Sequence, residues 1–178
     1  FIFSGNLGRG HGLGFLVEAI KSLSDYESAF FLIGGSGTHY SYLEESFKMH
    51  SGNVLLYSRL PADEFDCLMN TSDVGLIMLD RSYSVPQFPS RLLTYLDRAK
   101  PVLCAVNPGT DIGKIIETNN CGLSTIHGDL DTFIRFVMYL SENREERLAM
   151  GQNGRALLES EYTARCSYSI IMNHFRAG

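Results

Sequence analysis

Several features that mark whole classes of protein are missing from this sequence. No apolar run approaches the roughly eighteen residues that a bilayer-spanning helix needs, and no signal-peptide pattern opens the chain. Any membrane contact is therefore expected to be peripheral and the setting cytoplasmic. The four cysteines, Cys67, Cys104, Cys121 and Cys166, are scattered without a C-x-x-C pair. That spacing argues against a disulfide framework and predicts reduced, mostly buried thiols. Basic residues do not dominate: fifteen Lys and Arg stand against twenty Asp and Glu, for a net charge of −5, so no nucleic-acid footprint is present. His39, His50, His127 and His174 show no metal-ligand spacing with one another or with the cysteines. No G-x-S-x-G nucleophile elbow appears. Internal repeats, low-complexity tracts and linkers are absent too, which predicts one domain over residues 1–178.

Hydrophobic residues make up 44% and charged residues 20% of the 178, enough for a real core without disulfides or metal. The most informative stretch is residues 1–14, Phe-Ile-Phe-Ser-Gly-Asn-Leu-Gly-Arg-Gly-His-Gly-Leu-Gly. A short apolar run leads into glycines at every second or third position, with Arg9 and His11 among them, and a helical pattern follows. Glycines let a backbone come close to a ligand, and a helix start with a nearby arginine favours an anion such as phosphate. No window fits a strict G-x-G-x-x-G or a P-loop. The same stretch also reads as a turn that packs a helix tightly on a strand. The chain opens on Phe1 inside a strand, which predicts a piece of a longer protein whose missing part lies on the N-terminal side.

Further along, strands and helices alternate. Leu13, Leu16, Val17, Ile20 and Leu23 recur at helical spacing. Strands are expected at residues 29–33, 54–57, 74–79, 102–105 and 122–126, with helices between them and a helical C-terminal region. The run at 74–79 is unalternating, as strands buried on both faces are. This alternation predicts an α/β fold, a doubly wound parallel sheet with right-handed crossovers. In the order 3-2-1-4-5-6, strands 1 and 4 meet at the switch point, where ligands bind beyond the strands' carboxyl ends. The glycine loop follows strand 1 and the one long irregular connection, residues 79–89, follows strand 4, so the two most unusual loops are expected to face each other.

The order and spacing of several segments carry a resemblance. Phe-Ser-Gly-Asn-Leu-Gly, then Phe-Leu-Ile-Gly-Gly-Ser-Gly, Ser-Asp-Val-Gly-Leu-Ile-Met-Leu, Pro-Ser-Arg-Leu-Leu-Thr-Tyr-Leu and Lys-Pro-Val-Leu resemble family 4 glycosyltransferases over nearly the whole chain. They correspond to the Rossmann-like C-terminal, nucleotide-sugar-binding domain of the GT-B fold, and look most like bacterial capsule and O-antigen enzymes of the N-acetyl-fucosamine transferase kind. The resemblance implies the donor-binding half of a retaining glycosyltransferase. It would move a sugar from a nucleotide diphosphate donor, UDP-linked in preference to GDP-linked, to a glycan or lipid-linked acceptor at the inner face of the membrane. No cofactor and no metal are implied.

The resemblance also implies roles for particular residues. The backbone of Gly5, Asn6 and Gly8 would approach the diphosphate, and Arg9 would neutralise its charge, facing Ser90 and Arg91. His11 is the nearest polar candidate for a second basic place that many members fill with lysine. Tyr57 and Leu60 would seat the base. Ser90 and Arg91 would meet the distal phosphate, although Ser90 also reads as an ordinary N-cap. Thr94 and Pro86 stand where many members carry two glutamates, so Thr94 would hold the ribose through a hydroxyl without charge assistance. Two other readings remain: a sugar-nucleotide 2-epimerase, which needs acidic and histidine groups near the sugar, and a non-enzymatic nucleotide-binding domain.

Overall fold

The computed structural model describes residues 1–50, 52–82 and 87–176; Pro86 lies outside the described residues. Six strands, β1 (Ile2–Asn6), β2 (Phe31–Ser36), β3 (Val54–Tyr57), β4 (Gly75–Met78), β5 (Val102–Val106) and β6 (Gly122–Ile126), form one sheet in the order β3-β2-β1-β4-β5-β6. Every pairing is parallel. The intervening helices are α1 (Leu13–Ser22), α2 (Tyr40–Phe47), α3 (Ala62–Thr71), α4 (Arg91–Asp97) and α5 (Ile112–Thr118). After β6 come α6 (Leu130–Glu142), α7 (Arg144–Glu161) and α8 (Ala164–Arg176). This is the doubly wound sheet expected from the strand–helix alternation.

Successive strand residues point to opposite faces, and the core divides accordingly. Phe3, Leu76, Met78, Leu103 and Ala105 join Leu16 and Ile20 of α1 and Phe133 and Val137 of α6 on one face. Ile2, Ile77, Val102, Cys104 and Val106 join Met69 of α3, Leu92, Tyr95 and Leu96 of α4 and Ile116 of α5 on the other. Burial of both faces is why the central strands carry no polar alternation. Cys104 and Cys121 are buried, and their burial pushes the thiols up to about 12 and about 11. Cys67 is exposed and Cys166 partly so, so mostly buried thiols describes only half of the set. No helix among the described residues is long and apolar enough to cross a membrane.

β1 and β4 pair at a single position, Ile2 with Gly75, whereas β1 and β2 pair over five. Where the sheet hydrogen bonding between β1 and β4 lapses, a side chain enters. The fully buried Tyr95 of α4 brings its hydroxyl to the carbonyls of Ile2 (3.1 Å) and Leu76 (3.2 Å). Gly75 makes this possible, because a Cβ there would lie 2.3 Å from the Tyr95 ring. The helix that follows the long loop is thus fastened to the two strands at the switch point.

Candidate functional site

A cleft of about 640 Å³ opens beyond the carboxyl ends of β1 and β4. Ser4, Gly5, Asn6 and His11 form one wall, Gln87, Phe88, Pro89, Ser90, Arg91, Thr94 and Tyr95 the other, and Phe65 and Met69 of α3 one end. The glycine turn is held from two sides. Asp80 N–H donates to Gly10 O at 3.0 Å, and Leu7 N–H to Ser36 O at 2.9 Å. Gly35, at φ 129°, lies against the turn so closely that a Cβ there would sit 1.8 Å from Gly5 O. Gly35 and Gly37 therefore serve backbone packing, and neither lines the cleft.

Arg91 is the chemical centre of the cleft. Its guanidinium lies 4.0 Å from the centroid of the buried Phe3 ring, a favourable cation–π placement. Nη2 reaches Asn6 O at 3.5 Å and His11 Nε2 at 3.4 Å, both near the outer limit of a hydrogen bond. Nη1 is buried with no hydrogen-bond partner among the described residues, and no carboxylate there pairs with the side chain. Burial lowers the Arg91 pKa from its ordinary value, yet guanidinium stays charged in proteins. A half-buried cation without a counter-ion makes the cleft attractive to an anion.

His11 Nδ1 lies 3.2 Å from Met78 O. An Nδ1–H donating to that carbonyl leaves the Nε2 lone pair to accept from Arg91, which is the neutral imidazole. Its pKa is held below 6.5 by burial first and by the Arg91 charge second, against the Met78 bond.

The sequence-predicted residues divide into two groups. Gly5, Asn6, Ser90, Arg91 and Thr94 come together around the cleft. Ser90 sits at the α4 N-cap position but makes no side-chain capping bond, so its hydroxyl is not spent on the helix. Gly8, Arg9, Tyr57 and Leu60 do not line the cleft. Arg9, expected to face Ser90 and Arg91, is exposed on the one-turn helix Arg9–His11, and the inward place on that turn belongs to His11. Tyr57 folds over Gly34, where a Cβ would meet its ring at 1.9 Å. Its hydroxyl is buried with no hydrogen-bond partner among the described residues, and burial pushes it up to about 12. The apolar end of the cleft comes instead from Phe65 and Met69. Their i, i+4 spacing on α3 was a readable signal, but one that ordinary core residues share. No group of three or more His, Cys, Asp or Glu side chains that could hold a metal is present among the described residues.

The family model of the glycosyl transferases, group 1, matches residues 1–157. The chain belongs to this family. It is 24% identical over 163 residues to the probable glycosyltransferase WbjE of Pseudomonas aeruginosa, a match covering 92% of this chain and 40% of that protein. Among solved structures, Anabaena HepE in complex with UDP superposes with a TM-score of 0.77 at 16% identity, over all of this chain and 49% of HepE. HepE has also been solved with UDP-glucose. The C-terminal domain of the Francisella tularensis group 1 protein LpcC superposes with a TM-score of 0.69 at 17% identity, over 90% of this chain and 86% of that domain. The fold is thus that of a GT-B C-terminal domain, and this glycosyl transferase chain spans less than half of WbjE and of HepE.

Proposed function

We propose that this group 1 chain is the donor-binding half of a retaining glycosyltransferase and takes a nucleotide diphosphate sugar in the cleft between the β1 and β4 loops. The observation that carries the reading is Arg91, a cation over the Phe3 ring, without a carboxylate partner among the described residues, at the switch point of the sheet. In this reading the diphosphate meets Arg91, His11, the Ser90 hydroxyl and the backbone of Gly5 and Asn6, with Gly8 and Arg9 at the rim. Thr94 holds the ribose, and the base lies toward Phe65 and Met69, with Tyr57 and Leu60 behind that end. Catalysis is then mainly positioning and stabilisation of charge on the departing diphosphate, with no metal required from this chain. A UDP-sugar is the favoured donor, as the complexes of HepE with UDP and UDP-glucose support. The resemblance to capsule and O-antigen enzymes favours a glycan or lipid-linked acceptor of a cell-surface polysaccharide. The protein would then work in the cytoplasm, at most peripherally on the membrane.

The epimerase reading finds less support, because no Asp or Glu is among the described residues lining the cleft. Calorimetry with UDP, UMP, GDP and GMP tests the donor reading, with the diphosphate of the preferred base expected to bind more tightly than its monophosphate. Equal affinity within both pairs contradicts it. A thermal-shift panel of UDP-, GDP- and TDP-sugars selects the base, since a ligand at 100 times its Kd adds about 2.7 kcal/mol of stability.

A further inference from the structure

The surroundings of Arg91 satisfy its guanidinium only in part. One of its terminal nitrogens is buried without a partner among the described residues, and an unmet buried charged donor is costly. The other is shared between two long contacts, Asn6 O and His11 Nε2. The His11 ring is fixed at its far side by Met78 O and edge-on to Phe3 at 5.7 Å between centroids. The same nitrogen, Nε2, therefore has two mutually exclusive uses. As a lone pair it accepts from Arg91; as N–H⁺ it repels Arg91 and donates to an oxyanion in the cleft.

We infer that His11 couples occupancy of the cleft by a diphosphate to uptake of one proton, so that Nε2 releases Arg91 as it becomes a phosphate donor itself. The inference rests on the donor-binding reading above. The proton comes from solvent, no covalent bond changes, and the released guanidinium turns its buried Nη1–H toward the ligand. Without an anion, two cations at this separation are disfavoured, so the imidazole stays neutral. A diphosphate beside both reverses the balance. Few other charges intervene. α4 presents Arg91, while β1 and β4 face the ring with Phe3 and the Met78 carbonyl. The turn's own Arg9 is exposed. In the loop after β4, Asp80 is bonded to Ser82 and is influenced by His127 and Arg81 rather than by His11.

The test is calorimetric titration of the chain with UDP-glucose and, separately, GDP-mannose at pH 7.5 in two buffers of different ionisation enthalpy. A nucleotide sugar's diphosphate has no proton to exchange near neutrality, so uptake belongs to the protein. The wild type is expected to take up between about half and one proton per donor bound. Its affinity should fall as pH rises, approaching about tenfold per pH unit between the free and bound His11 pKa values. His11→Gln keeps a donor and an acceptor but cannot charge. It should bind with no proton uptake and a flat pH profile, weaker than wild type near neutrality and converging with it at high pH. Binding without uptake by the wild type overturns the inference alone, as does equal uptake by His11→Gln. Absence of binding by both donors overturns the donor reading as well. The wild-type measurement decides the matter even where the variant fails to fold.

Discussion

Arg91 and Arg9 show how little a residue type says about its role until its surroundings are known. Both are arginines at the mouth of a parallel sheet, but one lies over the Phe3 ring in the cleft wall and the other projects into solvent. Arg91→Ala is expected to weaken donor diphosphate binding by roughly 1.5–3 kcal/mol, the scale of a hydrogen bond to a charged group. Arg9→Ala should weaken it by less than about 1 kcal/mol, the scale of a surface ion pair. Calorimetry on the two variants checks the order, and a larger loss for Arg9→Ala would move the phosphate site outward to the rim. His11 adds a pH prediction for the ligand-free chain. Its folded pKa is held below the unfolded value of 6.5, so the unfolded state binds its proton first as pH falls. The His11 contribution to stability is complete above pH 6.5 and is lost as pH drops through 6.5 toward the folded pKa. Denaturant unfolding between pH 5 and 7.5 should show a smaller decline for His11→Gln than for wild type, and identical declines would mean that His11 is not buried neutral.

At the scale of elements, the decisive connection is α4 on β1 and β4. Tyr95→Phe removes the hydroxyl that serves Ile2 O and Leu76 O; it should lower stability by about 1–3 kcal/mol, the cost of leaving buried carbonyls unmet. Donor affinity should fall with it, because Arg91 and Thr94 ride on the same helix. Chemical denaturation and calorimetry on one preparation measure both. Loss of stability with unchanged affinity would show that α4 is positioned by its contact with α7 instead. This connection explains what could and could not be read in advance. The unalternating run at 74–79 and the strand–helix beat announced the sheet, because burial on both faces leaves its mark on every residue of a strand. The pairing of the β1 and β4 loops followed from the strand order. Tyr95 and Gly75 carry no such mark, since a buried tyrosine and a strand glycine acquire meaning only when the ring and the missing Cβ occupy one space. The inward turn of His11 was equally hidden: a one-turn helix puts neighbouring residues on opposite sides, and sequence does not say which side faces β4. The resemblance implies a base-seating role for Tyr57, whereas the placement of its ring over Gly34 is visible only in the fold.

For the molecule as a whole, donor binding and sugar transfer make different demands. In the proposed function the donor's phosphates meet the loops after β1 and β4, which the sheet itself positions, and both faces of that sheet are filled by their own core. Transfer also requires an acceptor hydroxyl held in register with the sugar, an arrangement worth up to roughly 7–11 kcal/mol of barrier in well-oriented systems. The cleft has walls from β1, α3 and α4, and the chain matches only 40% of WbjE and 49% of HepE. In the proposed function the acceptor meets residues in the part of such relatives that these 178 residues do not match. The chain by itself is therefore expected to bind its nucleotide sugar and to transfer none of it, with the binding unchanged by EDTA. A radiolabelled donor that it demonstrably binds, incubated with a lipid-linked glycan acceptor, provides the measurement, with a full-length relative active on the same pair as the positive control. Transfer by the 178-residue chain at a rate comparable with that control would overturn the division of labour, because it would place the acceptor's contacts on the sheet and helices described above. Donor binding lost in EDTA would instead mean that a cation shares the diphosphate with Arg91.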